Sequence, residues 1–241
     1  MSRRSRTRKP ERPPALVVEE LSKYYGDVPA LEEVDLDVPV GQSVVLVGHN
    51  GSGKSTLLSM VAGVLEPSSG EVRIHGRPND TLAARAERSW LPDTPVLYDD
   101  LSVREHVEYV NRMHGGTGDD EHIEDLIDRL GLRDREDQLP SQFSRGLRQK
   151  TAIAVALCRP FSVLLVDEPF VGLDASGRLA FLDLLDEARE SGATIVVATH
   201  DPEVIDRFER GLMLANGEVV HDGKAEELHA LLSADERHGG A

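Results

Sequence analysis

The 241-residue sequence predicts an α/β fold with a mostly parallel sheet, an N-terminal antiparallel β subdomain and an inserted α-helical subdomain. Three patterns predict it. Residues 44–47 (VVLV), 163–166 (VLLV) and 194–198 (TIVVA) are continuous apolar runs, which suit parallel strands covered on both faces. Residues 15–20, 34–38 (VDLDV) and 71–75 alternate apolar with polar side chains, as half-buried antiparallel strands do. From about 83 to 160 the period becomes helical.

Taken in order, each element has a local cause. Ser102 and Glu105 form an S-x-x-E capping box, after which Val103, Val107 and Val110 share a helix face. Ile123, Leu126, Ile127 and Leu130 repeat that spacing, with Gly131 placed to end the helix, and the polar stretch 115–120 reads as a loop. Leu179, Leu182, Leu185 and Ala188 mark a further amphipathic helix, stopped by Gly192 before the apolar run at 194. Asn216-Gly217, between two short apolar segments, signals a hairpin. Residues 1–14 read as a basic disordered arm, 15–232 as one domain and 233–241 as a frayed, disordered tail.

Composition narrows the function. Lys plus Arg number 27 against 43 for Asp plus Glu, a formal charge of −16, and six of the basic residues crowd into the arm (Arg3, Arg4, Arg6, Arg8, Lys9, Arg12). The body is therefore more acidic still and repels phosphate backbones, so no nucleic-acid partner is expected. Cys158 is the single cysteine and sits among apolar residues, which excludes an internal disulfide and fits a reducing compartment. No apolar stretch reaches the eighteen or so residues that span a bilayer. No N-K-x-D motif for reading guanine is found either.

Residues 48–56 read GHNGSGKST, directly after the first apolar run. This G-x-x-x-x-G-K-[ST] pattern makes the core a P-loop NTPase core: glycines turn backbone N–H groups toward phosphate oxygens and a helix N-terminus adds positive potential. Gly48, Asn50, Gly51, Gly53, Lys54, Ser55 and Thr56 are the candidate nucleotide contacts. Lys54 is suited to the terminal phosphates and Ser55 to Mg²⁺. At the end of run 163–166 stand Asp167 and Glu168, where open α/β sheets place their ligands. Asp167 is suited to hold Mg²⁺ and Glu168 to orient and deprotonate water.

These residues resemble the ATP-binding subunit of an ABC transporter, over about residues 15–232. FSRGLRQ at 143–149 is similar to the family signature LSGGQ, Gly172-Leu173-Asp174 to the D-loop, and His200 in Thr199-His200-Asp201 to the switch histidine. Tyr25, in YYGDVPAL, is similar to the aromatic that stacks on adenine, with Tyr24 its near competitor. Taken alone, Ser144 and Asp174 are also good helix N-caps, and His200 suits a structural histidine. Two departures stand out. Asp93, in WLPDTPVLYDDLSV, replaces the usual glutamine and offers a further oxygen to the metal, while Arg145 and Leu147 replace the first glycine and the glutamine of the signature.

The resemblance implies ATP and Mg²⁺ as cofactors, Glu168 and His200 as catalytic residues, Asp174 as a further nucleotide-binding residue, and Ser144 and Gly146 acting on ATP held by a second ATP-binding subunit in a homodimer or heterodimer. It also implies a transmembrane permease subunit as partner, a cytoplasmic, peripheral position on the membrane and, from WLPD and FSRGLRQK, an ABC-2-type exporter. The alternatives are a non-transport ABC ATPase or a nucleotide-gated scaffold of a membrane-associated complex.

Overall fold

Apolar runs with no polar face must be covered on both sides, and the computed structural model, which describes residues 13–116 and 120–238, does so with two sheets and flanking helices. The chain opens with β1 (Leu16–Tyr25), β2 (Val28–Val38), β3 (Ser43–Val47) and α1 (Lys54–Val61). Next come β4 (Ser69–Ile74), β5 (Arg77–Pro78), α2 (Leu82–Glu87), β6 (Arg88–Leu91), α3 (Val103–Met113), α4 (Asp120–Arg129) and α5 (Arg145–Leu157). The last part holds β7 (Val163–Asp167), α6 (Ala175–Glu190), β8 (Thr194–Ala198), α7 (Pro202–Ile205), β9 (Arg210–Ala215), β10 (Glu218–Lys224) and α8 (Leu228–His238).

The larger sheet runs β10-β9-β3-β8-β7-β6 and is parallel except for the β9–β10 pair, while the antiparallel sheet runs β2-β1-β4-β5. Burial explains why the three apolar runs lie inside the larger sheet. On β7, Val163 and Leu165 join the core shared with α1 and the antiparallel sheet, while Leu164 and Val166 join the core under α3, α4, α5 and α6. Full burial of a Val or Leu side chain is worth about 1.5–3 kcal/mol, and alternate residues of the strand gain it on opposite faces.

The expected caps and turns are present. Ser102 Oγ accepts from Glu105 N–H at 3.3 Å and Glu105 Oε2 accepts from Ser102 N–H at 2.8 Å. Asn216 and Gly217 both take positive φ, 51° and 86°, as a two-residue hairpin turn of this twist requires.

Four expectations need correction. Strand β6 lies inside the stretch expected to be helical; its polar Arg88 and Ser89 masked the strand, and both side chains are satisfied by carbonyls, of Asn79 and Ala156. Strands β1 and β2 continue to the Gly26 turn, beyond the short alternating segments, with bulges near Glu20 and Glu33 that break the alternation. On α6, Leu179 is 57% exposed, and Phe181 and Leu184 fill the core instead, because two residues around a helix is about 200°. Helix α8 runs past Ser233 to His238, since Leu228, Leu231 and Leu232 pack beside β3 and β9. The basic arm up to Arg12, residues 117–119 of the expected loop and the last three residues lie outside the described residues.

Candidate active site

The loop between β3 and α1 is held open by glycine conformations that other residues resist. Gly48, Gly51 and Gly53 have φ of 147°, 84° and 107°. A Cβ on Gly48 would stand 2.2 Å from Leu214 O, and one on Gly53 would stand 2.8 Å from Ala30 O. Backbone N–H groups therefore curl around a concave surface at the N-terminus of α1, the arrangement that binds phosphate. Lys54, buried at the first position of α1, donates to Gly48 O at 2.8 Å and His49 O at 3.3 Å and lies 3.9 Å from Glu168 Oε1.

A cavity of about 510 Å³ opens over this loop. Asn50, Gly51, Gly53, Lys54, Ser55 and Thr56 line its floor, with Asp93, Glu168 and His200 around it. β7 ends under the loop and brings Asp167 there, 2% exposed, with Oδ1 buried and unpartnered. Burial pushes the Asp167 carboxyl up to about 6, with Glu168 and Asp93 adding to the rise, against the Ser55 hydroxyl and Lys54. An orphaned buried carboxylate oxygen beside a serine hydroxyl and a further carboxylate is a hard oxygen donor set that fits Mg²⁺. Among the described residues no three His, Cys, Asp or Glu side chains converge at ligand spacing.

Glu168 follows β7 in a left-handed conformation, φ 44°, fixed by its N–H bond to Ala198 O at 2.9 Å. Its Oε2 accepts from His200 Nδ1–H at 2.8 Å and from His200 N–H at 3.3 Å. The end of β8 thus carries His200 against the end of β7, and a carboxylate and an imidazole face the phosphate loop together. Such a group is able to take a proton from water if a terminal phosphate lies above the loop.

Other candidates lie elsewhere. Ser144 and Gly146 line a separate cavity of about 440 Å³ with Gly172, Asp174, Arg135 and Lys150. Both expected caps exist there: Ser144 Oγ accepts from Leu147 N–H at 3.2 Å, and Asp174 Oδ1 accepts from Gly177 N–H at 2.8 Å. Tyr25 lies at the β1–β2 turn, exposed under Lys23 with Nζ 5.4 Å from the ring centre, and does not line the phosphate-loop cavity. The motif reading passed over Ser52, whose buried Oγ has no partner inside the loop, and over Ala30 and Val171 at the cavity wall. Only position within the loop marks Ser52, since serine there has no distinctive pattern.

Residues 31–171 match the ABC transporter family. The chain belongs to that family, as an ATP-binding subunit. It is 31% identical over 218 residues to the ABC-type transporter ATP-binding protein EcsA of Bacillus subtilis, covering 88% of each chain. The sulfate/thiosulfate import ATP-binding protein CysA of Synechocystis is 34% identical, over 89% of this chain and 62% of CysA. The macrolide export ATP-binding/permease protein MacB 1 of Aeromonas hydrophila is 35% identical, over 89% of this chain and 35% of MacB 1. A solved dimeric structure of a post-hydrolysis state of the ATP-binding cassette MJ0796, bound to ADP and Pi, is similar with a TM-score of 0.80 and 28% identity, over 87% of this chain and 98% of that one. This ABC ATPase binds ATP and hydrolyses it to ADP and phosphate, and no helix among its described residues is long and apolar enough to cross a membrane.

Proposed function

We propose that this ABC ATPase drives an exporter by closing head to tail with a second ATP-binding subunit, each phosphate loop meeting the other's Ser144 and Gly146. One observation carries the reading: within one chain Ser144 and Gly146 of the signature line a different cavity from the phosphate loop, so neither cavity alone surrounds a triphosphate. Export is the direction supported by the WLPD and FSRGLRQK forms, which resemble ABC-2-type exporters.

In this reading the glycine loop and the α1 N-terminus cradle the phosphates, and Lys54 neutralises the terminal ones. Ser55, Asp167 and Asp93 would hold Mg²⁺, which would supply positive charge to offset that of the phosphates. Glu168 takes the proton of the attacking water, while His200 holds that carboxylate in place and contacts the γ-phosphate. Tyr25 stacks on adenine, a role for which the exposed turn leaves room. Loss of the γ-phosphate removes the contacts that favour closure, so the open form returns.

The motion passes to a transmembrane permease through residues 93–101 and α3, which keeps the ATPase at the membrane periphery. That surface exposes apolar side chains beside Asp99 and Asp100: Val96 is 88% and Tyr98 55% exposed, and Tyr98 packs edge-on against Tyr109, ring centres 5.7 Å apart. Buried His106 fixes it from below, donating from Nδ1 to Ser102 O at 2.7 Å and accepting from Tyr98 N–H at 2.8 Å on Nε2.

Glu168→Gln tests the cycle. The variant is expected to bind MgATP, to lose at least about a hundredfold of the ATPase rate, the scale of general-base catalysis, and to elute as an ATP-dependent dimer on size exclusion. Wild-type turnover by Glu168→Gln, or no dimer at saturating MgATP, would overturn the reading.

A further inference from the structure

Arg145 sits between two residues of the signature cavity but does not line that cavity. Arg145 lines the cavity over the phosphate loop of its own chain, while Ser144 and Gly146 line the other one. The start of α5 explains the split: Ser144 turns its hydroxyl back onto Leu147 N–H as the cap, and position 145 is the first helical residue, a helix step further round. The stem of Arg145 then crosses the bare face of Gly172, where a Cβ would stand 3.1 Å from Cγ and 3.4 Å from Cδ. A larger residue there would crowd the arginine stem and would be strained at the positive φ of 86°.

Asp93 lines the same cavity. Among the described residues neither the Asp93 carboxylate nor the Arg145 guanidinium makes a hydrogen bond or ion pair. The acidic load there is high: Asp93 and Glu168 line the cavity and both act on the adjacent Asp167 carboxyl, while Lys54 and Arg145 are the cationic side chains of the lining. An entering triphosphate adds more negative charge, and like charges a few Å apart in a cleft repel strongly. These two positions are also where the sequence departs from the glutamine and glycine usual in the family.

We propose that Arg145 binds the terminal phosphate held by its own chain and offsets Asp93, so that the two departures form one compensating pair across the cavity. The proposal rests on reading this cavity as the nucleotide site. Arginine suits the task because its guanidinium stays charged and grips phosphate oxygens with two parallel N–H donors. The pair ties the loop after β6, which carries Asp93, to the N-terminus of α5, which carries Arg145, through one bound phosphate. In that arrangement the signature helix senses ATP in its own chain as well as in the partner copy.

Titration calorimetry with ATP and with ADP, in Mg²⁺ and in EDTA, tests the pair on dilute chain. The forms to compare are wild type, Arg145→Gly, Arg145→Lys, Asp93→Gln and the Asp93→Gln/Arg145→Gly double variant, with thermal melts to check that each folds. Arg145→Gly is expected to weaken ATP about tenfold, the scale of one lost charge-assisted contact, with ADP changed less than about twofold. Asp93→Gln in the Arg145→Gly background is expected to recover most of that loss, and Arg145→Lys to keep part of the wild-type affinity. Steady-state assays should place the change in KM rather than kcat.

Equal weakening of ATP and ADP, or single effects that simply multiply in the double variant, would show that no such pair exists. A loss that appears only at concentrations where two copies associate would assign Arg145 to the partner's nucleotide and sink the same-chain contact. Lys54→Ala serves as the separate control. If it leaves ATP affinity intact, the cavity itself has been misassigned; if it abolishes binding while the Arg145 and Asp93 effects stay independent, only the pair fails.

Discussion

At the scale of single residues, the phosphate loop is the part most rigidly specified. Gly48→Ala places a methyl group 2.2 Å from Leu214 O at a φ of 147°, so both space and backbone conformation oppose it. We expect a loss of about 2 kcal/mol or more, read from the midpoint of urea unfolding, and a strain-free variant would contradict the loop geometry. Cys158 gives a second test. Burial pushes its thiol up to about 12 from an ordinary 9, so the thiolate that attacks disulfide reagents is nearly absent at neutral pH. Native protein should label with a thiol reagent only after denaturant is added. Because the folded thiol ionises later than the unfolded one, its contribution to stability is present below pH 9 and lost as pH rises toward 12. The motif, the acidic pair and the buried cysteine were all legible in the sequence, because each depends on residue type at fixed short spacing. Asp167's orphaned oxygen and the reach of Arg145 were not, since both depend on what other elements bring alongside.

At the scale of elements, the helical subdomain is held together by charge as well as by its apolar face. Arg104 on α3 bonds Glu124 of α4 and Glu136 beyond it, each at 2.6 Å, and Arg133 also pairs with Glu124. Arg104 first, then Arg133, hold the Glu124 carboxyl down at about 2 from an ordinary 4.5. For a lowered acid the stabilisation is fully present above pH 4.5 and is lost as pH falls toward 2. Hydrogen exchange at pH 3 should therefore show α3 and α4 opening before the parallel strands, and Glu124→Gln should remove most of that pH dependence. Coincident opening of all elements would contradict it. The α3 cap was visible in advance as an S-x-x-E box, and Ser102→Ala should cost about 1 kcal/mol in thermal or urea unfolding. Strand β6 was missed because a strand four residues long, half of them polar, carries no periodic signal until β7 pairs with it.

At the scale of the whole molecule, the surface around Tyr98 is separate from the chemistry and should be separable by mutation. Val96→Asp is expected to leave basal ATPase within about twofold, as surface changes away from a site usually do, and to abolish co-purification with the proposed permease in mild detergent. Retained co-purification would place the contact elsewhere. By itself the sequence determined the α/β class, the order of apolar runs, the phosphate loop and the residues that end β7 and β8, because these follow from local periodicity and from side-chain chemistry adjacent in the chain. Only the tertiary structure decided that Glu168 meets His200, that Ser144 and Gly146 open onto a different cavity from Lys54, and that Arg145 lines the same cavity as the phosphate loop of its own chain. Those facts depend on strand order and on the packing of α5 against the segment after β7, which join residues far apart in the chain through burial that no local pattern encodes.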